Sequence, residues 1–551
     1  MTRKDDAKIS LSKLLISMSF IIPVIVTPHW TFDPGNISKL FTLIIFSMVM
    51  LLLLPRIGFE QYRMYAKEIS FATLLLFFVF LGFLTNNPSL SAFYGEITIN
   101  MGLLAYTCLI ITLIASILVG RLISNWIIKV IIITGTLNVI YGYIQFLGLD
   151  PAGYRSDQDP IIGTLGNSNF FSAYIGITTL ASLFSYLNTL DFRRLVFFAF
   201  IFISLLFLCY QNQSIQGIFV FLFGSSIFIY LRFLRTKSRK IKGILIGIFV
   251  STASIAFLGI FGKGPLSVYL FQESNKARIE YWTAALRLLK LNLVNGVGPD
   301  NFGVWYPSVQ TSYSFSTYGQ YDFANSSHNS ILDLALSGGI GAAVVFLVLL
   351  MLSIISLKRY IRSEAIDSKK LEAITIFCLW MAFFFQSLLS VQKISLYVLG
   401  FVLLGITLSF GRGIDIKAPK KLTHKLDPGN LMLSFLGLAI GMSIGLPALI
   451  QSINFQTALE SRKSTNLINA ATLDPKNAYH LTHASRILFA NNLYEESLKL
   501  AEDSIEVEPL SILAWEMVYQ NPLATPTQKA TARNYILSRS PNWDFSKFNI
   551  K

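Results

Sequence analysis

The most reactive pattern in this sequence is a polar tetrad, Ser326-Ser327-His328-Asn329, directly before a long apolar stretch. If a helix begins there, Ser326 or Ser327 is expected to cap it, and His328 then lies in its first turn. A helix N-terminus disfavours a protonated imidazole, so His328 would stay neutral and able to act as a general base. The exposed amides of the same turn attract anions. The alternative is a histidine that only forms hydrogen bonds at a helix start.

A second cluster precedes the tetrad and is rich in cations and aromatic residues. We predict an amphipathic helix over 274–290 that presents Lys276, Arg278 and Trp282 near a membrane surface. A guanidinium can bind phosphate oxygens through two parallel N–H bonds, so Arg278 is a candidate ligand for an anionic group. The alternative is an interfacial helix whose cations simply reach water.

A third cluster contains Arg155, and it continues into a stretch of glycines and asparagines that includes Asn167 and Asn169. Asparagine amides can bind hydroxyl-rich ligands, and glycines permit tight turns. The alternative is an ordinary loop that ends in a helix cap at Asn167 or Ser168.

The composition of the chain indicates the kind of fold that positions these clusters. Of the 551 residues, 53% are hydrophobic and only 14% are charged, which is typical of an all-α, polytopic membrane bundle. The formal net charge of +15 could suggest a nucleic-acid partner, but the cations follow the membrane pattern described next. No nucleic-acid partner is therefore expected.

Thirteen apolar stretches are long enough to cross a hydrocarbon core about 30 Å thick. Lysine and arginine concentrate in alternate connections, and such residues stay cytoplasmic. We predict a cytoplasmic N-terminus, with the 263–330 connection, the C-terminus and all three clusters outside. The predicted spans are near 13–29, 39–55, 69–85, 101–119, 126–148, 168–188, 195–211, 214–232, 242–262, 331–357, 371–391, 395–410 and 431–450.

Residues 1–450 therefore form a membrane domain, and residues 451–551 have the composition of a separate helical domain. Pro475 and Pro509 are 34 positions apart, and Pro541 follows after 32 more. A 34-residue period with a helix-ending proline is typical of tetratricopeptide repeats. An unrelated helical hairpin domain is the alternative.

No metal or cofactor site is predicted. Cys108, Cys209 and Cys378 all lie inside apolar runs, without metal-ligand or disulfide spacing. His480 and His483 are three positions apart but lack a third ligand, so we interpret them as surface residues.

Taken together, the clusters resemble the O-antigen ligase and polymerase superfamily of bacterial polytopic glycosyltransferases, which act on polyprenyl-diphosphate-linked glycans. The resemblance covers roughly residues 150–345, and a trailing tetratricopeptide-like domain is similar to many members. The matching stretches are Gly163-Thr-Leu-Gly166-Asn167-Ser-Asn169, Arg278-Ile-Glu-Tyr-Trp282, Asn295-Gly296-Val-Gly298-Pro-Asp-Asn301-Phe302, Ser327-His328-Asn329-Ser-Ile-Leu332 and Gly338-Gly339-Ile-Gly341.

The resemblance implies a C-type, inverting, metal-independent transfer. Arg278 would hold the donor diphosphate and His328 would deprotonate or orient the acceptor hydroxyl. The family often places an arginine after a serine where this chain reads Gln213-Ser214-Ile215, so Arg155 or Lys276 is the expected second cation. Further substrate contacts are expected from Asn167, Asn169, Trp282, Asn301 and Asn329.

The expected donor is an undecaprenyl-diphosphate-linked glycan at the outer face of a bacterial cytoplasmic membrane. The acceptor could be a lipid, a glycan or a protein, and residues 451–551 offer a surface for a protein partner. Ligation to lipid A core, repeat-unit polymerisation and protein O-glycosylation all remain open. A lipid-linked glycan flippase or exporter and a membrane scaffold are the alternatives from other classes, although the scarcity of ionisable groups within the spans weighs against transport.

Overall fold

A computed structural model of the chain describes residues 3–86, 88–154, 161–233, 273–364, 366–412 and 427–547, together with the isolated positions 243, 247, 251 and 263. All regular secondary structure in these residues is helical, which confirms the all-α class. The α-helices, numbered here in chain order, are α1 (Arg3–Ile21), α2 (Ile37–Leu53), α3 (Phe59–Met64), α4 (Ala66–Thr85), α5 (Leu90–Tyr94), α6 (Leu103–Phe146), α7 (Ser168–Leu187), α8 (Phe192–Gln211), α9 (Gln216–Phe233), α10 (Glu273–Leu291), α11 (Phe302–Trp305), α12 (Ser312–Tyr318), α13 (Ser330–Ser363), α14 (Asp367–Ser387), α15 (Ile394–Ser409), α16 (Pro428–Ser461), α17 (Ser464–Ala471), α18 (Ala478–Ala490), α19 (Tyr494–Val507), α20 (Ile512–Gln520) and α21 (Pro526–Arg539).

Among the described residues, eight helices are long and apolar enough to cross a membrane: α2, α4, α6, α7, α8, α13, α14 and α16. Helices α9 and α15 are apolar but shorter. These lengths and compositions are those of a multi-pass helical membrane protein. Eleven of the predicted spans fall on these ten helices, and the predicted span at 242–262 lies outside the described residues except for positions 243, 247 and 251. The total of thirteen stays a prediction.

The predicted first span at 13–29 is wrong in its bounds. Helix α1 starts at Arg3, ends at Ile21 and is not among the eight apolar helices. Its buried face repeats every three or four residues through Leu11, Leu15 and Met18, and this face packs into the main core. The helix therefore begins earlier than predicted and includes the charged N-terminal residues. It ends two residues before Pro23.

The predicted spans at 101–119 and 126–148 belong to one continuous helix, α6, of 44 residues, so no loop separates them at Arg121. A straight helix of that length would measure about 66 Å. Nevertheless, both ends of α6 lie near the N-terminal turn of α2. Asn36 there donates to the carbonyl of Thr98, just before α6, at 2.6 Å. Lys39 donates to the carbonyl of Thr164, whose amide in turn donates to Asn138 near the other end of α6.

The middle of α6 lies at the opposite end of the bundle. Arg121 donates to the carbonyl of Arg412, beyond the C-terminus of α15, at 2.9 Å. Its guanidinium also lies 5.2 Å from the ring centroid of Tyr360, near the C-terminus of α13. The two halves of α6 therefore run in opposite directions, and every residue between them is helical.

Helix α13 is broken inside at Gly338 and Gly339, where the backbone leaves helical geometry. The break frees the carbonyl of Leu336, which accepts instead from the amides of Val297 and Gly298 at 2.6 and 3.2 Å. A Cβ on Gly296 would lie 2.2 Å from the same carbonyl. Hydrogen bonds to Leu336 therefore hold the connection after α10 against α13. The approach is so close at Gly296 that only glycine fits there.

The C-terminal helices form hairpins at the predicted period. Pro475, Pro509 and Pro541 each follow a helix end, after α17, α19 and α21 respectively. The predicted domain boundary at 450 falls inside α16, which continues to Ser461, so the last membrane helix passes directly into this domain. The tetratricopeptide assignment stays a prediction.

This domain covers one end of the bundle, which we call the capped end. Arg539 donates to the carbonyl of Val304 at 3.1 Å and lies 4.5 Å from the ring centroid of Trp305. Gln320 and Asp544 exchange two hydrogen bonds between side chain and backbone, at 3.1 and 2.9 Å. The connection between α10 and α13 is therefore held between the bundle and the C-terminal helices.

Candidate functional site

The turn before α13 is organised by one carboxylate. Asp333 accepts from the hydroxyl of Ser326 at 2.9 Å, and from the amide and hydroxyl of Ser327 at 2.9 and 2.6 Å. Because both serines are used in this way, neither caps the helix as predicted. Asn329 caps it instead, and its side chain accepts from the amides of Ile331 and Leu332.

His328 therefore lies before the cap, and not in the first helical turn as predicted. Its backbone lies in the left-handed region, with φ of 58°. The chain therefore does not continue the helix through His328. The imidazole stacks on Tyr281 with a centroid separation of 5.4 Å. Burial lowers the pKa of His328 to about 3, and the positive charge of Arg278 acts in the same direction. His328 is thus neutral at physiological pH, as expected, but burial is the main cause.

Arg278 and His328 line the same cavity at the capped end, which we call the outer cavity and which has a volume of about 220 Å³. Asn167 and Asn169 line it as well. Four of the predicted site residues, from three separate parts of the chain, are therefore brought together. The other lining residues are Thr98, Ile99, Gly166, Phe170, Asn325, Ser390, Val391 and Lys393.

Both asparagines are held by local hydrogen bonds. Asn167 caps α7 and accepts from the amide of Asn169 at 2.9 Å, so the alternative interpretation as a helix cap is also correct. The side chain of Asn169 accepts from Ser214 at 2.9 Å, and Ser214 is bonded to Ser172 at 2.8 Å. The connection before α9, where the expected family arginine is missing, thus lies directly behind the cavity wall.

Lys393 is the cavity residue that the sequence analysis did not select. Its ammonium donates to the carbonyl of Thr98 and lies 5.8 Å from the ring centroid of Phe170. Burial lowers the pKa of Lys393, and the nearby carboxylates of Asp33 and Asp300 oppose that change. The available signal was that Lys393 is one of few cations in the connections predicted to lie outside.

The other predicted residues do not line the outer cavity. Lys276 and Trp282 are carried by α10 beside Arg278, and both are partly buried. Asn329 is occupied as a helix cap and donates to the carbonyl of Leu388 at 3.2 Å. Asn301 is buried and donates to the carbonyl of Val297 at 3.0 Å. Arg155 lies outside the described residues.

The arrangement joins two cations to one neutral imidazole. Arg278 and Lys393 line the outer cavity from α10 and from the α14–α15 connection, so both offer positive charge to an anionic group in this space. His328 lines the same space and can accept a hydrogen bond there. No family model and no curated protein sequence matches this chain.

Proposed function

We propose that this chain is a membrane glycosyltransferase that moves a glycan from undecaprenyl diphosphate to an acceptor hydroxyl at the outer face of a bacterial cytoplasmic membrane. The supporting observation is that Arg278, Lys393 and neutral His328 line one cavity. A diphosphate leaving group needs positive charge, and an attacking hydroxyl must lose a proton. All three side chains needed for those two tasks are present in one place.

The proposed reaction is a single displacement at the anomeric carbon. The acceptor oxygen forms a bond to that carbon while the bond from the carbon to the diphosphate oxygen breaks, and the electron pair of the broken bond leaves with the diphosphate. The configuration inverts because attack and departure are on opposite sides. Arg278 and Lys393 stabilise the departing charge, and His328 takes the hydroxyl proton.

Binding of the donor would also raise the pKa of His328, the proposed general base. In the empty cavity, burial and Arg278 keep the pKa of His328 low, so the imidazole accepts protons weakly. A bound diphosphate brings negative charge between the cations and His328, which favours the imidazolium form and raises that pKa. His328 would therefore become an effective base only after the donor has bound.

Deletion of the gene in the source organism followed by complementation tests the function whatever the chemical structure of the glycan. We expect undecaprenyl-diphosphate-linked glycan to accumulate in the deletion strain and wild-type protein to reverse this. His328→Ala and Arg278→Ala should each reduce transfer by roughly 100-fold or more while still inserting in the membrane. Arg287→Ala is the matched control, because Arg287 is also on α10 but donates to the carbonyl of Val309 at 3.3 Å outside the cavity.

Full complementation by both His328→Ala and Arg278→Ala would refute the proposal. Product size separates the activities that share this chemistry: a single addition indicates ligation to a lipid or protein, and a ladder indicates polymerisation. A flippase or exporter is less favoured, because Arg278 and His328 line one cavity at the capped end, as transfer requires.

A further inference from the structure

A second and larger cavity lies between the bundle and the C-terminal helices. It has a volume of about 380 Å³, within the range of roughly 300–1,000 Å³ found for ligand pockets. One wall is the turn that precedes α6, and the opposite wall is formed by α18 and the start of α20. We call it the interdomain chamber.

The interdomain chamber adjoins the outer cavity, because Thr98 and Asn325 line both. Thr98 is exposed and lies in a turn whose backbone is left-handed at Thr98 and Asn100, with φ of 79° and 56°. Asp300 holds this turn by accepting from the amides of Glu96 and Met101 at 2.7 and 3.0 Å. Thr98 and Asn325 therefore form a boundary shared by the two spaces, and His328 lines the far side of it.

The lining of the chamber indicates its ligand. Three carboxyl groups face it, from Glu96, Asp300 and Glu508, while Arg486 is the one arginine in its wall among the described residues. Burial raises the pKa of Glu96 to about 8 and that of Asp300 to about 7. Protonated carboxyls donate and accept hydrogen bonds with hydroxyl groups, whereas ionised carboxylates repel anions.

The opposite wall offers the apolar contact that a sugar ring also needs. Tyr479 lines the chamber and is 46% exposed, and its ring stacks on His483, which lines the chamber as well, at a centroid separation of 5.9 Å. Leu513 lines the same side. An aromatic face with surrounding hydroxyl-binding groups suits an uncharged saccharide, whose C–H face is apolar and whose rim is polar.

We propose that the interdomain chamber binds the acceptor as an uncharged sugar chain and presents one of its hydroxyls to the outer cavity across Thr98. This inference rests on the proposed glycosyltransferase function and extends it by assigning the acceptor class and its binding site. The C-terminal domain thereby supplies half of the acceptor site.

Site-specific photocrosslinking in the complemented deletion strain tests this directly. Tyr479 is replaced by p-benzoyl-phenylalanine in a His328→Ala background, where the acceptor is bound but not consumed. Tyr313 is the matched control position, because it is 51% exposed and lies outside the lining of the chamber. We expect an ultraviolet-dependent adduct at 479 that periodate treatment degrades, and none at 313.

A blocking variant gives a second measurement. Leu513→Trp fills the chamber and should reduce transfer by roughly 10-fold or more. Ser538→Trp on the exposed face of α21 should leave transfer unchanged at equal protein abundance. Normal transfer by Leu513→Trp, or the absence of a glycan adduct at 479, overturns the inference. An adduct with a protein at 479 overturns the saccharide assignment. These results are separable from the proposed function, which fails if His328→Ala and Arg278→Ala both complement fully.

Discussion

Arg278 and Lys393 reach the outer cavity from positions more than a hundred residues apart in the chain. The residue chemistry alone indicated Arg278 and His328, because guanidinium and imidazole groups are rare among the predicted outer connections. It did not select Lys393, although cations are rare in these connections, because a lone lysine in a short connection does not belong to a polar cluster. The second cation was therefore assigned to Arg155 or Lys276, and only the folded chain shows Lys393 beside Phe170.

Substitution of Lys393 tests this reassignment. Lys393→Gln should reduce transfer roughly 100-fold, because an amide cannot stabilise the charge of the leaving diphosphate. Lys393→Arg should retain most activity. The rate at which lipid-linked glycan disappears in the complemented deletion strain measures the effect. Lys276→Gln is the matched control, and a larger loss for Lys276→Gln than for Lys393→Gln would return the role to α10.

At the scale of elements, the break in α13 decides where Arg278 lies relative to His328. The glycine pair at 338–339 interrupts the helix, and the connection after α10 occupies the interruption through its bonds to Leu336. This contact fixes α10, and with it Arg278, relative to the N-terminus of α13. The sequence showed glycines in both places, but their contact joins segments that are about forty residues apart.

Alanine substitutions at two glycines distinguish the cost of backbone strain from the cost of a steric clash. Gly296 and Gly319 both have positive φ, of 66° and 89°, yet a Cβ on Gly296 would lie 2.2 Å from a backbone oxygen while Gly319 has open space. Gly319→Ala should lower the free energy of unfolding by about 1–3 kcal/mol, because φ of 89° with ψ of 175° lies in a backbone region that is nearly exclusive to glycine. Gly296→Ala should lower it by more than about 4 kcal/mol or abolish folding. Thermal unfolding in detergent measures both, and equal effects would contradict the close-contact argument.

At the scale of the whole molecule, the C-terminal domain is joined to the bundle by an aromatic cluster. His480, interpreted from sequence as a surface residue, is only 2% exposed and stacks on Phe455 with a centroid separation of 4.0 Å. Phe32, from the connection between α1 and α2, meets the same imidazole edge-on at 5.2 Å. The prediction of a surface position was wrong because a histidine without a metal partner can still be buried when aromatic rings surround it.

This cluster predicts an acid-sensitive stability. Burial lowers the pKa of His480 to about 3, so the folded state favours neutral imidazole. The associated stability is complete above the unfolded pKa near 6.5 and decreases as pH falls from there toward 3. At pH 5 the loss from His480 should be about 2 kcal/mol.

His480→Phe should keep the packing and remove this part of the loss. The free energy of unfolding of the full chain in detergent, compared at pH 7.5 and pH 5, measures this loss. The remaining acid sensitivity is expected from His483, because burial also lowers the pKa of that residue. A variant that loses as much stability in acid as the wild type would show that His480 does not titrate in this way.

The sequence by itself determined the membrane class, most of the apolar helices and the helical period of the C-terminal domain, because hydrophobic length and periodicity are local properties of the chain. It also singled out Arg278, His328, Asn167 and Asn169 by side-chain chemistry. Only the tertiary structure decided that the two halves of α6 are joined without a loop, that Asp333 and Asn329 place His328 outside the helix, and that Lys393 completes the charge of the cavity. Those features depend on contacts between distant segments, which no local pattern specifies.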